Sequence, residues 1–419
     1  MILYAVFAYS KETPFPSAYA LAPTLGAALI ILCTTPSTLV GRVLTTKAFV
    51  GIGLISYSAY LWHQPLFAFA RNRSFTDLPT WAYLGLTIIS MFLAYLTWRY
   101  IEVPARVKEV VSRRKLILAC GLLTVGFVLV GFAGHLTNGT YGNQEAQTKL
   151  ITLEDRLRVN HGLDPDCEGV FTTSPKCRTS DDPEIMVWGD SYAMHLVAGL
   201  KASARDPKII QTTVSVCGPF FDIAPLNEKY VRTWAEECLR SNAKVLELLS
   251  KTSSIKYVVL SSPFSQYVSD KAMVLTKDGT VLNGAEVSRD YMRETINKIL
   301  ALGKVPIVFS PTPQNGSNIG KCLMKAEKFS KDSAVCDFSF GEAKKRQEPV
   351  WKFLNDISSF VKVIYLHDEI CSGGACRASM GDVWIYRDSG HLSHEGSALL
   401  GTQMRFYDLV VRSEKQEAK

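Results

Sequence analysis

Three side chains of the types needed for acyl transfer lie far apart in this sequence of 419 residues. Ser191 follows Gly189 and Asp190, whereas Asp388 and His391 lie three positions apart near the C-terminus. A serine can attack a carbonyl carbon, a histidine can take its proton, and an aspartate can fix the tautomer of the histidine. The alternatives are a serine that caps a helix and an Asp–His pair that only stabilises a turn. We expect Ser191, His391 and Asp388 to be nucleophile, general base and orienting carboxylate.

The elements that must position these residues alternate between strand and helix patterns. Glu184–Trp188 is a short apolar run that ends at the Gly-Asp-Ser tripeptide, and helical spacing follows over Ala193–Ala204. Such alternation predicts a parallel sheet with helices on both faces, in which ligands bind at the carboxyl ends of the strands. Ser191 then lies at a strand-to-helix turn, with its N–H at the positive end of the helix. Further strands are predicted at Lys208–Val216, Lys256–Leu260, Val305–Ser310 and Val361–Leu366, and a further helix at Asp290–Leu302.

The first third of the chain differs from the rest in charge. Residues 1–136 contain eleven Lys or Arg and four Asp or Glu, whereas the two signs balance over residues 137–419. The net charge of +7 therefore belongs to the first third, which argues against a nucleic-acid partner. Four uncharged segments there are long enough to cross a bilayer core of ~30 Å, whereas buried helices of a large soluble protein are the alternative. The predicted membrane spans are Ala18–Thr35, Ala48–Ala70, Thr80–Trp98 and Leu116–Gly134.

The loops between these spans predict the orientation of the chain. Arg42 and Lys47 lie between the first two spans, and a cluster over Arg106–Lys115 lies between the last two. Positive loops stay in the cytoplasm, although two arginines between the second and third spans weaken the pattern. We therefore expect everything after about His135 to be extracytoplasmic.

The cysteines indicate the same compartment. Cys33 and Cys120 lie in apolar spans, and the other eight all lie beyond residue 160. An even set in the exported part suggests disulfides, although eight cysteines allow 105 pairings. Pairing between neighbours is favoured because each bond then closes a short loop, and the spacing gives a zinc site little support, so no metal is expected. The favoured pairs are Cys167–Cys177, Cys217–Cys238, Cys322–Cys336 and Cys371–Cys376.

The motifs resemble those of a known family. Gly189-Asp190-Ser191 and Asp388-x-x-His391 resemble the first and last blocks of SGNH hydrolases, and Ile55–Pro65 resembles the closing helices of acyltransferase-3 membrane proteins. Together they resemble the fused acyltransferase-3/SGNH proteins that O-acetylate bacterial surface polysaccharides such as the lipopolysaccharide O-antigen. The resemblance implies an α-helical membrane region followed by a three-layer α/β/α sandwich with a parallel sheet. It also implies a multi-pass protein of the bacterial inner membrane, with its C-terminal domain in the periplasm or outside the cell.

The resemblance also implies the domain boundaries. We expect a partial acyltransferase-3 region at residues 1–136 with a linking helix at 116–134, a linker at 137–150, the SGNH domain at 151–412 and a tail at 413–419. His63 does not match the catalytic histidine of acyltransferase-3 proteins, which lies on earlier membrane helices. The chain is therefore expected to be N-terminally incomplete, or to act with a separate membrane acyltransferase.

Further site residues follow from the same resemblance. The oxyanion hole is expected to use the N–H groups of Ser191 and Gly218, and the asparagine that supplies a third donor in the family has no match here. Tyr192, His195 and His394 are candidates for the substrate rim. The alternatives are a histidine packed in the core for His195 and an ordinary surface residue for His394.

The implied activity is O-acylation. Ser191 would carry an acetyl group whose ultimate donor is acetyl-CoA, and a sugar hydroxyl of a surface glycan would accept it. No bound cofactor is expected. Two alternatives remain open, namely a membrane-anchored carbohydrate esterase and a catalytically silent glycan-binding module.

Overall fold

The computed structural model describes residues 1–10, 13, 14, 16–75, 78–107, 111–137, 139, 144–168 and 174–412. The chain forms two compact units, Met1–Gly139 and Thr140–Lys419. Residues 144–150, expected to belong to the linker, instead start a helix that continues to Arg156. The expected tail at 413–419 and residues 140–143 of the linker lie outside the described residues.

The first unit is helical. Its helices are α1 Ile2–Ala8, α2 Leu21–Cys33, α3 Leu39–Leu44, α4 Lys47–Arg73, α5 Thr80–Thr97, α6 Val103–Arg106 and α7 Arg113–Leu136, and a π-helical turn joins α5 to α6. Thr80–Arg106 and Arg113–Leu136 are long and apolar enough to cross a membrane. Helix α2 is shorter, and α4 is less apolar because polar residues such as His63 and Gln64 lie within it. Helices thus form at all four predicted spans, and those at the third and fourth spans are long and apolar enough to cross a membrane.

A five-stranded parallel sheet forms the centre of the second unit. Its strands are β1 Ile185–Gly189, β2 Ile209–Thr213, β4 Tyr257–Ser261, β7 Val305–Phe309 and β9 Lys362–Ile364, and their order is β2-β1-β4-β7-β9. The four longer strands are almost wholly buried, as expected when helices cover both faces. Gly189 lies beside Thr213 and Ser261, so the end of β1 lies between the ends of two neighbouring strands.

Helices connect these strands. They are α8 Gln144–Arg156, α9 Ser191–Met194, α10 Val197–Ala202, α11 Arg232–Lys251, α12 Ser265–Val268, α13 Gly284–Ala301, α14 Ile319–Lys328, α15 Phe340–Arg346, α16 Glu348–Ile357, α17 His367–Ile370, α18 His394–Met404 and α19 Phe406–Val411. The helix predicted over Ala193–Ala204 is divided in two near His195. The strand predicted to reach Val216 ends at Thr213, because a turn follows it.

The helices form one layer on each face of the sheet. On one face, side chains such as Trp188 and Leu260 pack in a core with residues of α11, α13 and α16. On the other face, Phe309 contacts Phe406 of α19 with ring centroids 5.0 Å apart, and α18 packs against α10. The predicted α/β sandwich with a parallel sheet is confirmed.

Short strands and disulfides complete the second unit. The remaining strands are β3 Ile223–Leu226, β5 Met273–Thr276, β6 Val281–Asn283, β8 Phe338–Ser339, β10 Cys371–Ser372, β11 Ala375–Cys376, β12 Ser379–Met380 and β13 Val383–Trp384, and they pair in small antiparallel sheets. The structure contains the four bonds favoured by the spacing: Cys167–Cys177, Cys217–Cys238, Cys322–Cys336 and Cys371–Cys376. Cys33 and Cys120 are free.

Candidate active site

The turn after β1 presents Ser191 at the carboxyl edge of the sheet. Gly189 has a φ of +145°, and a Cβ at this position would collide with the backbone oxygen of Ser261. Only glycine fits both constraints. Asp190 then caps α9 by accepting a hydrogen bond from the Tyr192 N–H, and Ser191 is the first residue of that helix. The sequence therefore forces a tight turn that leaves the Ser191 side chain half-buried at the surface.

A continuous chain of hydrogen bonds joins the three residues expected to act together. Ser191 Oγ donates to His391 Nε2 over 2.8 Å, and His391 Nδ1 donates to Asp388 Oδ2 over 2.8 Å. Asp388 Oδ1 also accepts from the backbone N–H groups of Gly390 and His391. This geometry leaves His391 Nε2 free to take the proton of Ser191, as a general base must.

The carboxyl group of Asp388 is held in its ionised form. Burial opposes ionisation, but the hydrogen bond and charge of His391 outweigh it, with help from the N–H groups of Gly390 and His391. The pKa of Asp388 therefore lies below its ordinary value. An ionised Asp388 keeps the proton of His391 on Nδ1 and stabilises the imidazolium that forms during proton transfer.

Tyr192 and His195 are buried, so the expectation that they form a substrate rim is wrong. Tyr192 is 6% exposed, and its hydroxyl accepts a hydrogen bond from Gln314 Nε2 over 2.7 Å. Its ring centroid lies 4.7 Å from that of His391, so it supports the catalytic imidazole from the side. His195 is 1% exposed, and its Nδ1 accepts from the Leu392 N–H over 3.2 Å. Both residues therefore pack behind His391.

His195 remains neutral in this packing. Burial lowers its pKa well below the ordinary histidine value, and the charges of His391 and Arg387 act in the same direction. A neutral ring is required because Nδ1 must accept the Leu392 hydrogen bond. His394, by contrast, is exposed at the start of α18 and stays a candidate for the rim.

One of the two N–H groups expected to bind an oxyanion already has an acceptor within the domain. The Gly218 N–H donates to the buried hydroxyl of Tyr267 over 2.8 Å, which speaks against Gly218 as a donor to substrate. Just before it, Cys217 N–H donates to Val214 O and closes a turn in which Val216 has a φ of +71°. A β-branched residue rarely adopts this conformation. Within the described part of the chain, neither Val216 N–H nor Ser191 N–H has an acceptor.

Several contacts hold this strained turn. The Cys217–Cys238 disulfide anchors it to α11, and Asn242 Nδ2 donates to the carbonyl oxygens of Gly218 and Phe220. Such strain persists only where the surrounding structure fixes it. Sequence reasoning missed Asn242 and Tyr267, and no motif marks them.

A buried carboxyl group directly precedes Ser191 in the chain. Asp190 is 1% exposed and accepts from Ser262 Oγ over 2.6 Å as well as from Tyr192 N–H. Burial raises its pKa to about 6, although both hydrogen bonds oppose the shift. Sequence reasoning gave Asp190 no role beyond its place in the motif. No group of His, Cys, Asp or Glu able to hold a metal occurs among the described residues.

Comparison with known proteins gives consistent matches. The SGNH domain described as fused to AT3 domains matches residues 162–406. The O-acetyltransferase OatA of Staphylococcus aureus is 32% identical over 81 residues, which cover 19% of this chain and 13% of that protein. YrhL of Bacillus subtilis, named as a candidate peptidoglycan O-acetyltransferase, is 30% identical over 29% of this chain and 22% of its own length. The chain thus spans less than a quarter of either relative.

Two solved structures align with part of this chain. The periplasmic domain of a lipopolysaccharide acetyltransferase from Salmonella ser. Paratyphi A aligns over 65% of this chain and 99% of its own, with 17% identity and a TM-score of 0.44. An aryl esterase of M. smegmatis aligns over 55% of this chain and 99% of its own, with 12% identity and a TM-score of 0.33. Because the match to the SGNH domain covers more than half of the sequence, the chain belongs to the family of SGNH domains that are fused to AT3 domains.

Proposed function

We propose that this protein is an O-acyltransferase that acetylates a bacterial cell-surface polysaccharide through an acyl-serine on Ser191. The observation that carries the proposal is the hydrogen-bonded chain from Ser191 through His391 to Asp388 at the carboxyl edge of the sheet. Two helices able to cross a membrane precede this site in the same chain. A reactive serine on a membrane-associated chain suits transfer to a glycan at the cell surface.

The first half-reaction loads the serine. His391 Nε2 takes the Ser191 proton as Oγ attacks the acyl carbonyl carbon, and an oxyanion forms on the carbonyl oxygen. The tetrahedral intermediate collapses, the bond to the leaving group breaks, and the leaving group takes the proton from His391. Acetyl remains on Ser191 as an ester.

We assign the oxyanion donors to the N–H groups of Ser191 and Val216. Both follow strands whose ends are adjacent, because Val214 N–H donates to Gly189 O over 3.0 Å. Both lack an acceptor among the described residues, so both can donate to substrate. A preorganised donor of this kind contributes about 3 kcal/mol to a transition state.

The second half-reaction transfers the acetyl group. A sugar hydroxyl gives its proton to His391 Nε2 and attacks the ester carbonyl of acetyl-Ser191. The same donors stabilise the second oxyanion, and collapse returns the proton to Ser191 Oγ. In the esterase alternative, water replaces the sugar hydroxyl.

The acyl donor and the compartment belong to the same proposal. Four disulfides in the second unit suit an oxidising compartment, so we place this unit in the periplasm or outside the cell and the chain in the inner membrane. Acetyl-CoA is charged and stays in the cytoplasm. The acetyl group therefore has to reach Ser191 through an AT3-type membrane region, supplied in the same polypeptide or by a separate membrane acyltransferase.

Hydrolysis of a chromogenic acetyl ester by the detergent-solubilised chain tests the nucleophile. We expect slow acetyl release that Ser191→Ala abolishes. Ser389→Ala is the matched control, because Ser389 is an exposed serine beside the same triad. Release at a near-normal rate by Ser191→Ala would remove Ser191 as the nucleophile.

Glycan acetylation in cells distinguishes transferase from esterase. The chain is expressed in a strain deleted for its own surface acetylation, with and without a membrane acyltransferase, and glycan acetyl groups are read by proton NMR. We expect acetylation only with the acyltransferase present, and its loss in Ser191→Ala. Removal of existing acetyl groups would instead identify an esterase.

A further inference from the structure

Arg387 is a second charged residue beside the triad, and neither the motifs nor the proposed mechanism uses it. It immediately precedes Asp388, and its side chain is 13% exposed. Its Nε lies 3.6 Å from Asp388 Oδ2, which makes an ion pair but exceeds hydrogen-bonding distance. That Nε is buried and has no hydrogen-bond partner.

The rest of the guanidinium group is also unused. Within the described part of the chain, its two terminal nitrogens donate no hydrogen bond, and they are not among the fully buried atoms. A guanidinium carries five N–H donors in a planar fork, and leaving such donors unpaired in a mostly buried position is costly. The N–H groups of the two terminal nitrogens therefore reach solvent and can donate hydrogen bonds to a ligand.

Asp388 already accepts hydrogen bonds from three donors other than Arg387. Its Oδ2 accepts from His391 Nδ1, and its Oδ1 accepts from two backbone N–H groups as well. A guanidinium that only supported Asp388 would approach one carboxylate oxygen to within 3 Å. Arg387 Nε instead lies 3.6 Å from Asp388 Oδ2.

The backbone holds Arg387 in this place from two sides. Arg387 N–H donates to His391 O over 3.0 Å, and the preceding residue, Tyr386, donates its hydroxyl hydrogen to Pro313 O over 3.0 Å. On the other side, α14 approaches so closely that a Cβ on Gly320 would collide with the Arg387 carbonyl. The position is therefore built rigidly, as a binding residue requires.

The charge acts on the catalytic side of the domain. Arg387 Nε lies 3.6 Å from Asp388 Oδ2, and the same oxygen accepts the hydrogen bond of His391 Nδ1. The imidazole of His391 alone separates Asp388 from Ser191. A group bound to Arg387 would thus lie on the Asp388 side of the triad, with the His391 imidazole between it and the acylated oxygen.

We propose that Arg387 binds a carboxylate of the acceptor glycan, so that the acceptor is an acidic polysaccharide with a uronic-acid-type sugar at or beside the acetylated residue. The planar fork matches the two oxygens of a carboxylate and supplies the opposite charge. This inference rests on the proposed function, because it assigns a subsite to the same active site. A sugar phosphate offers related chemistry, and the test includes it.

The test measures sugar binding directly, so it does not depend on activity. The full chain in detergent is titrated with methyl glucuronide, with methyl glucoside and with glucose 6-phosphate, and dissociation constants are measured by saturation-transfer NMR. We expect the glucuronide to bind at least about tenfold more tightly than the glucoside. Arg387→Gln should abolish that preference, and Arg387→Lys should retain part of it, because lysine keeps the charge without the fork.

Lys321→Gln is the matched control, since Lys321 is an exposed cation on α14, one residue from Gly320. It should leave the preference unchanged. Equal binding of glucuronide and glucoside to the unaltered chain, or a preference that survives Arg387→Gln, would overturn the subsite. Tighter binding of the phosphate than of the glucuronide would overturn its assignment to a carboxylate. Ester hydrolysis that depends on Ser191 would meanwhile keep the proposed function intact.

Discussion

The buried carboxyl group of Asp190 should make folding stability depend on pH, and Asp190→Asn should remove that dependence. Asp190 directly precedes Ser191 and accepts hydrogen bonds from Ser262 and Tyr192. In the described structure no ion pair neutralises its carboxyl group. Burial raises its pKa from 3.8 to about 6. Asparagine has a similar shape and does not titrate in this range.

The sign and size of the effect follow from these values. Between pH 3.8 and about 6 the folded chain keeps a proton that the unfolded chain has lost. Stability therefore falls as pH rises through this window and is constant above it. A shift of about 2 units corresponds to about 3 kcal/mol. Relative to the unaltered chain, Asp190→Asn should gain about this much between pH 4 and pH 7.

Asp222→Asn provides a control of opposite sign. Asp222 is also mostly buried, but it pairs with Lys277 over 3.0 Å and with Lys298. Burial opposes its ionisation, and the two lysines outweigh burial and lower its pKa. Its stabilising contribution is therefore complete above the unfolded pKa and is lost as pH falls through the folded pKa. Asp222→Asn should be less stable than the unaltered chain at neutral pH, by an amount that does not change between pH 5 and pH 8.

Thermal unfolding in detergent, followed by tryptophan fluorescence from pH 4 to pH 8, measures these effects. Trp188 lies in β1 two residues before Asp190, is 1% exposed, and reports unfolding of this region. A change of about 3 kcal/mol corresponds to a shift of about 6–12 °C in the midpoint. Parallel pH profiles for the unaltered chain and Asp190→Asn would refute the reasoning, because they would show that Asp190 does not titrate in this window.

Two further substitutions and one mapping experiment test the rest of the domain. His391→Ala should lower chromogenic ester hydrolysis by about 10³-fold or more, as measured by steady-state kinetics, because the proton of Ser191 then has no acceptor. Tyr267→Phe should destabilise the chain by about 1–3 kcal/mol in thermal unfolding, since it leaves the Gly218 N–H buried without a partner, while hydrolysis changes by less than about tenfold. A hundredfold loss of hydrolysis would show that Gly218 matters to catalysis. Mass mapping of unreduced protein should find the four disulfides of the second unit with Cys33 and Cys120 free, and reduced cysteines in protein from the native host would contradict the compartment.

The sequence predicted the parts of the site that depend only on residues close together in the chain. Gly189-Asp190-Ser191 follows an apolar run, so the strand, the turn and the position of the serine at that turn are predicted from neighbouring residues. Asp388 and His391 are three positions apart and form their own hydrogen bond. Pairing of neighbouring cysteines needs no knowledge of the fold. The alternation of strands and helices likewise suffices for a parallel sheet.

The contacts that decide burial could not be predicted in this way. Helical spacing places His195 on the same face as Ser191, but it does not show that Tyr192 and the turn after His391 cover that face. Gly218 matched a family position, yet its N–H is taken by Tyr267, which lies 49 residues further along the chain. A positive φ at Val216 is invisible in sequence because valine disfavours it.

The separation of the reacting residues has a consequence for biosynthesis. Ser191 and His391 are 200 residues apart, and α18, which follows the turn that carries His391, packs against α10. During synthesis the serine emerges 200 residues before its hydrogen-bond partner. A polypeptide that stalls before residue 391 therefore lacks the histidine to which Ser191 donates its hydrogen bond. We therefore expect Ser191, His391 and Asp388 to come together only after the C-terminal part of the domain has been synthesised.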